Sequence, residues 1–442
     1  MKTLFALLAG LAVTVSVAQD VDSLDPSGQT VMFWHQHSTE RLEALDAIIE
    51  EFNTTNEWGI TVQQEYQGGY GDIFQKMLPI LSTSSAPNLV VGYQNQAATY
   101  AIGDGMTDLT PFVESERWGL TDEEKADFFP GFYTADIFPS FDNQRFGFPP
   151  NRSMEVMYYN ADWLAELADA GAISFDGPPT TPEQFREAAC AATDTPFSGA
   201  LADASLGYKL STDASRFASW TFAFGGDVYD YDADRYAYDS PEAIEAMTYL
   251  QDLFEDGCAD FVTERYGDQT DFGQGTLLFT VGSSSGLPYY DSAVSEGADF
   301  AWSVAPLPRT TEDPVMNVYG ASVSIPTGHS PEADLATWLF IKHYTSPEAQ
   351  ATWAKASNYF PVRQSVADGL SDYFAENEAY ATAFDLLPYG TTEPPVPGYD
   401  FVRDNVESDM AAIMDGDDVE RVLATLTSES NLILDDQLSA ME

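Results

Sequence analysis

The chain has 442 residues, more than one compact core holds, so two domains are expected. Hydrophobic residues make up 44%, with 28 Phe, 23 Tyr and 8 Trp, which excludes disorder as the main state. Against 71 Asp and Glu stand 18 Lys and Arg, a net charge of −53, which excludes nucleic acid and anionic membrane surfaces as partners.

Met1, Lys2 and Thr3 form a short basic start, and residues 4–17 are apolar but too short to span a bilayer. Ser16, Val17 and Ala18 make a small-residue cleavage site, so residues 1–18 read as a signal peptide cleaved near Ala18. No Cys follows that site, and no lipid anchor is expected. The mature chain should be exported and soluble, in the periplasm or outside the cell. The two cysteines, Cys190 and Cys258, suit an oxidising compartment. Paired, they would contribute roughly 4 kcal/mol in the chain-entropy model. Two free buried thiols are the alternative.

Residues 30–34 read as a buried first strand, followed by a polar loop at 35–39. Leu42, Leu45, Ile48, Ile49 and Phe52 recur at helical spacing, and residues 60–66 alternate like a strand. A glycine-rich turn, a helix over 73–81 and a short strand at 88–92 follow. Strands alternating with helices predict an α/β fold with parallel pairing. Residues 145–150 lead into a strand at 155–160. Thr181 with Pro182 starts a helix, as do Ser240 with Pro241 and Ser346 with Pro347. Residues 227–239 alternate Asp and Tyr but lack the glycine and closing glutamate of a calcium loop, so a solvated hairpin is expected. Residues 302–308 read as a strand crossing back to the first lobe, and residues 318–325 as one strand with a glycine where a ligand could approach.

The apolar run 276–281 feeds into Gly282, Ser283, Ser284, Ser285 and Gly286. Serine hydroxyls and free amides at such a junction can hold an anion or a sugar. The same stretch fits the G-x-S-x-G elbow of a serine hydrolase, with Ser284 as nucleophile. His329 and His343 lie downstream, one in a polar turn and one in a helix, and no glycine-rich oxyanion loop precedes the serine. The hydrolase is therefore the weaker reading. Sugar sites combine planar polar groups with aromatic faces, for which Trp34, Tyr70, Tyr93, Tyr208, Trp220 and Tyr359 are available. For a phosphate, Arg403 is the expected bidentate donor, with Arg152 second. His35 and His37 have no further Cys or His beside them, so no metal is expected.

Several motifs follow one another in a familiar order. They are Phe33, Trp34 and His35; Tyr66 to Tyr70; Tyr158, Tyr159 and Asn160; the serine loop; Tyr319 to Ser322; Tyr359 to Val362; and Pro395 to Arg403. This order resembles the extracellular solute-binding proteins of family 1, which serve carbohydrate-type ABC importers, and within it the glycerol-phosphate receptors. The resemblance implies a two-lobed periplasmic-binding-protein fold, type II-like, with a ligand cleft and a hinge. It implies an N-terminal lobe at 19–147 and 306–352 and a C-terminal lobe at 148–305 and 353–442. It places Tyr70, Ser284, Gly320, Tyr359 and Arg403 around the ligand, several of them at its phosphate. Gln94 stands where the receptors have a glutamate for glycerol hydroxyls, and Ser153 lies near another polar contact. Trp34, His35 and Trp220 complete the expected site. The implied function is capture of glycerol 3-phosphate or a glycerophosphodiester by a monomer, without catalysis or cofactor, for delivery to membrane permease subunits. A neutral di- or oligosaccharide is the alternative ligand.

Overall fold

In the computed structural model, residues 20–441 are described, and the expected signal peptide lies outside them. Among the described residues, no helix is long and apolar enough to cross a membrane.

The first sheet is built on Thr30–His35, which runs parallel to Thr61–Tyr66 on one side and Leu89–Gly92 on the other. Ser322–Ser324 completes it, antiparallel to Leu89–Gly92. Neighbouring residues of a strand face opposite sides. Val31, Phe33 and His35 therefore turn into the core, while Met32 and Trp34 are half-buried on the other side. Helix Thr39–Thr55 buries Ala44, Leu45, Ile48, Ile49 and Phe52 as one stripe.

The second sheet is organised on Ser153–Asn160. One edge of that strand pairs antiparallel with Leu277–Ser283. The other edge takes Met316–Tyr319 near its start and Trp302–Ala305 near its end. Leu206–Leu210 and Ala259–Phe261 extend the sheet in parallel. The sheets are thus mixed, not all-parallel. Helices Tyr399–Met414 and Val419–Ser439 pack together against this lobe. Cys190 and Cys258 are joined by a disulfide across 68 residues of sequence.

Local signals account for many boundaries. Thr181, Ser240, Ser330 and Ser346 each accept a backbone N–H at a helix start with proline next in line. Residues 227–239 form the expected hairpin, Tyr229–Asp230 against Arg235–Tyr236. Its acidic turn is self-satisfied, since Asp230 Oδ1 accepts the amides of Asp232 and Ala233 at 2.9 and 3.0 Å.

Two expectations change. Residues 302–305 do not cross back; they remain in the second sheet, as do 316–319. The single strand expected over 318–325 is two strands in two sheets, broken at Gly320 and Ala321. The expected lobe limit near 305 therefore comes too early.

Candidate ligand cleft between the lobes

All three parallel strands of the first sheet end on one side, the usual place for ligand groups in α/β proteins. The segment after Thr30–His35 delivers Arg41, in the first turn of its helix. The segment after Thr61–Tyr66 delivers Tyr70, and the one after Leu89–Gly92 delivers Tyr93 and Gln94. From the second lobe, Ser283, Ser285 and Tyr289 follow strand Leu277–Ser283. Asp213, Ser215 and Arg216 follow Leu206–Leu210 at the start of helix Ala214–Ala223.

A series of contacts links these groups. The Arg41 guanidinium lies 4.8 Å from the centre of the Tyr359 ring. Gln36 Nε2 donates to Tyr70 Oη at 2.5 Å, and Tyr70 meets Tyr93 edge-on at 4.8 Å. Burial pushes the Tyr70 hydroxyl well above its ordinary value, with the neighbouring Tyr359 and Tyr93 adding to the effect. Tyr93 is raised for the same first reason. These phenols therefore stay neutral and serve as hydrogen-bonding groups on an aromatic wall.

Tyr93 lines one cavity, and Arg41, stacked on Tyr359, lines another. The first, of about 430 Å³, is lined by Tyr93, Gln94, Ser215, Tyr231, Glu393 and Arg403, among others. The other, of about 440 Å³, includes Arg41, Arg216, Ser283, Ser285, Asp268 and Tyr289 in its lining. In the first, Arg403 donates to Glu393 Oε2 at 2.5 Å and to Ser215 Oγ at 3.1 Å. Glu393 also accepts from Ser215, Tyr399 and Asn317, at 2.6, 2.6 and 3.1 Å. Burial works to raise the Glu393 carboxyl, but the Arg403 charge and these hydrogen bonds outweigh it, and the group is held below its ordinary value. Nearby, burial raises Asp213 despite the opposing Arg403 charge. In the second cavity, Arg216 is ion-paired with the fully buried Glu155, which also accepts from Tyr319 Oη at 2.6 Å.

The lobes touch on both rims. Asn95 and Gln96 donate to Asp400 Oδ1 at 3.3 and 3.0 Å, and the Gly398 amide donates to Thr99 Oγ1 at 3.0 Å. On the opposite rim, Arg41 Nη2 donates to the Ser285 carbonyl at 2.8 Å.

Residues 47–382 match the model of the bacterial extracellular solute-binding proteins. The chain belongs to this family. It is similar to the sn-glycerol-3-phosphate-binding periplasmic protein UgpB of Rhizobium meliloti (strain 1021), 23% identical over 75% of each chain. UgpB of Brucella suis biovar 1 is 23% identical over 85% of each chain. Two solved structures share its fold. UgpB from Mycobacterium tuberculosis in complex with glycerophosphocholine has a TM-score of 0.77 and 22% identity, covering 93% of this chain and 100% of that one. The GacH receptor of Streptomyces glaucescens GLA.O, also solved with acarbose, has a TM-score of 0.77 and 18% identity, covering 92% and 99%.

In this solute-binding protein the expected site residues divide into two groups. Tyr70, Tyr359, Gln94 and Arg403 come together at the cleft. Gln94 is already engaged there, donating to Asp136 Oδ1 and Ser322 Oγ, both at 3.1 Å. The other expected residues serve the interior or the rim. Ser284 is fully buried and its Oγ accepts the Met154 amide at 3.1 Å, so its side chain ties the serine loop to strand Ser153–Asn160. Ser153 is buried and donates to the Tyr319 carbonyl at 3.4 Å. Trp220 is fully buried against Phe185, Tyr208 and Tyr249. His35 is fully buried, accepting the His37 amide at Nδ1 and donating from Nε2 to Gln64 at 2.6 Å. Trp34 points to the other face and donates to Glu65 at 3.1 Å. Gly320 is required by packing, since a Cβ there would meet Arg152 Cα and the Asn151 carbonyl at 3.1 Å. Arg152 is a buried partner of Asp136 at 3.2 Å.

Sequence reasoning passed over Arg41, Glu393, Asp213 and Arg216. With 18 basic residues against 71 acidic ones, each arginine just past a strand end carried a usable signal. The carboxylates carried none, being indistinguishable from the acidic surface.

Proposed function

We propose that this solute-binding protein captures a small phosphate-bearing polyol, glycerol 3-phosphate or a glycerophosphodiester, and presents it to the membrane subunits of an ABC importer. The observation that carries this reading is a pair of guanidinium groups, Arg41 stacked on Tyr359 and Arg403 in the cavity lined by Tyr93, in a chain of net charge −53. Phosphate oxygens suit guanidinium and hydroxyl donors, and polyol hydroxyls suit tyrosine, glutamine and carboxylate partners. The similarity to UgpB proteins supports the same class. A neutral di- or oligosaccharide is the second reading, favoured by the neutralisation of Arg403 by Glu393. We assign 20–147 with 322–352 to the N-terminal lobe and 148–319 with 353–441 to the C-terminal lobe, on the strand pairings either side of Gly320. The protein acts as an exported monomer.

A thermal-shift screen of the mature protein tests this. Ligand that binds only the native state raises the melting temperature. Glycerol 3-phosphate or glycerophosphocholine should raise it where maltose, trehalose and cellobiose do not. A shift with sugars alone would overturn the phosphate assignment and leave the receptor class standing.

A further inference from the structure

We propose that Arg41, on the N-terminal lobe, is the anion anchor of the cleft, and that the ligand's phosphate lies at the serine-loop end rather than beside Arg403. This rests on the phosphate reading above.

Three arginines around the cleft are already paired: Arg403 with Glu393, Arg216 with Glu155 and Arg152 with Asp136. Arg41 is not. Its Nη2 donates to two backbone carbonyls, Ser285 at 2.8 Å and Ser357 at 3.0 Å, and no carboxylate of the described residues forms an ion pair with it. Its Nη1 and Nε make no hydrogen bond to the described residues and are not walled off, so they remain available to the cavity. The group is held in place by two rings, Tyr359 at 4.8 Å and Tyr289 at 5.6 Å. A planar cation over aromatic faces is pre-positioned, so little freedom is lost when it grips an anion.

The surroundings supply further donors. Ser283 Oγ and Ser285 Oγ lie 3.0 Å apart on the same cavity wall. Two carboxylates share that wall, Glu264 and Asp268. Asp268 is occupied by the hydroxyls of Tyr290 at 2.6 Å and Thr280 at 3.0 Å, and Glu264 is exposed. At the other end, the Arg403–Glu393 pair offers donors and acceptors side by side with no free charge. That combination fits hydroxyls, which both donate and accept, better than a phosphate, which only accepts when ionised. The phosphate is therefore assigned to Arg41 and the serine loop, and the Gln94 and Arg403 side is suited to hydroxyls. Because Arg41 also bonds the Ser285 carbonyl of the opposite lobe, the anion completes a contact that ties the lobes.

Calorimetric titration with sn-glycerol 3-phosphate tests the assignment on wild type, Arg41→Gln, Arg41→Lys and Arg403→Lys. Gln retains a donor for the Ser285 carbonyl, and cooperative melting of each unliganded variant checks its fold. The expected result is a loss of roughly 10–100-fold in affinity for Arg41→Gln, a smaller loss for Arg41→Lys, and a weaker salt dependence in Arg41→Gln than in wild type. Unchanged affinity in Arg41→Gln, with the loss found in Arg403→Lys, would overturn the anchor and leave the phosphate reading intact. No binding by wild type would remove the phosphate reading, and the anchor with it.

Discussion

At one end of the cleft, Arg403 is clamped by Glu393, which three further side chains hold in turn. At the other, Arg41 meets only carbonyl oxygens and tyrosine rings. Both are half-buried arginines facing a cavity of about the same size. Their neighbours make them different instruments. A paired guanidinium is a structural donor of fixed direction, whereas an unpaired one keeps its charge for a ligand.

The comparison breaks most visibly at Glu393. Replacing it by Ala strands Arg403, Tyr399, Ser215 and Asn317, and should cost about 3–5 kcal/mol of stability in urea unfolding. Arg41→Gln, which strands no charge, should cost far less in the same assay. Equal losses would mean that the two ends are built alike.

A pH series sharpens the contrast. The Glu393 carboxyl is held below its ordinary value of 4.5, so the folded state favours its ionised form. Its contribution is complete above that ordinary value and is lost as pH falls through the lowered one. The stability gap between wild type and Glu393→Gln should therefore be constant from pH 8 to about 5 and close at lower pH. The gap for Arg41→Gln should show no such step, because a guanidinium does not titrate there. The smallest effect is expected at Tyr289, the more distant ring. Tyr289→Leu should weaken glycerol 3-phosphate binding by about 0.5 kcal/mol, read by calorimetry.

Much of the frame was legible from the sequence, because caps and strand periodicity are local. Thr181, Ser240 and Ser346 announce their helices within four residues of chain. The split at Gly320 was not legible. Val318 and Val323 are both buried, and burial does not say which sheet each half joins. The same limit explains Trp220, Ser284 and His35. Polar and aromatic residues beside a cleft motif look like ligand contacts until strand alternation and packing assign them to the interior. Glu393 shows the converse. Its partners Ser215 and Asn317 lie 178 and 76 residues away, so its role exists only in the folded chain.

The crossover at Gly320 has a mechanical consequence. Two residues carry the chain from one sheet to the other, with Gly320 at φ 151°, a torsion that residues with a side chain rarely adopt. There is no slack in such a joint. Any swing of one lobe against the other must be taken up in a few torsions pressed against the Asn151 and Arg152 backbone. The joint thus presses on Arg152, whose partner Asp136 also accepts from Gln94 at the cleft.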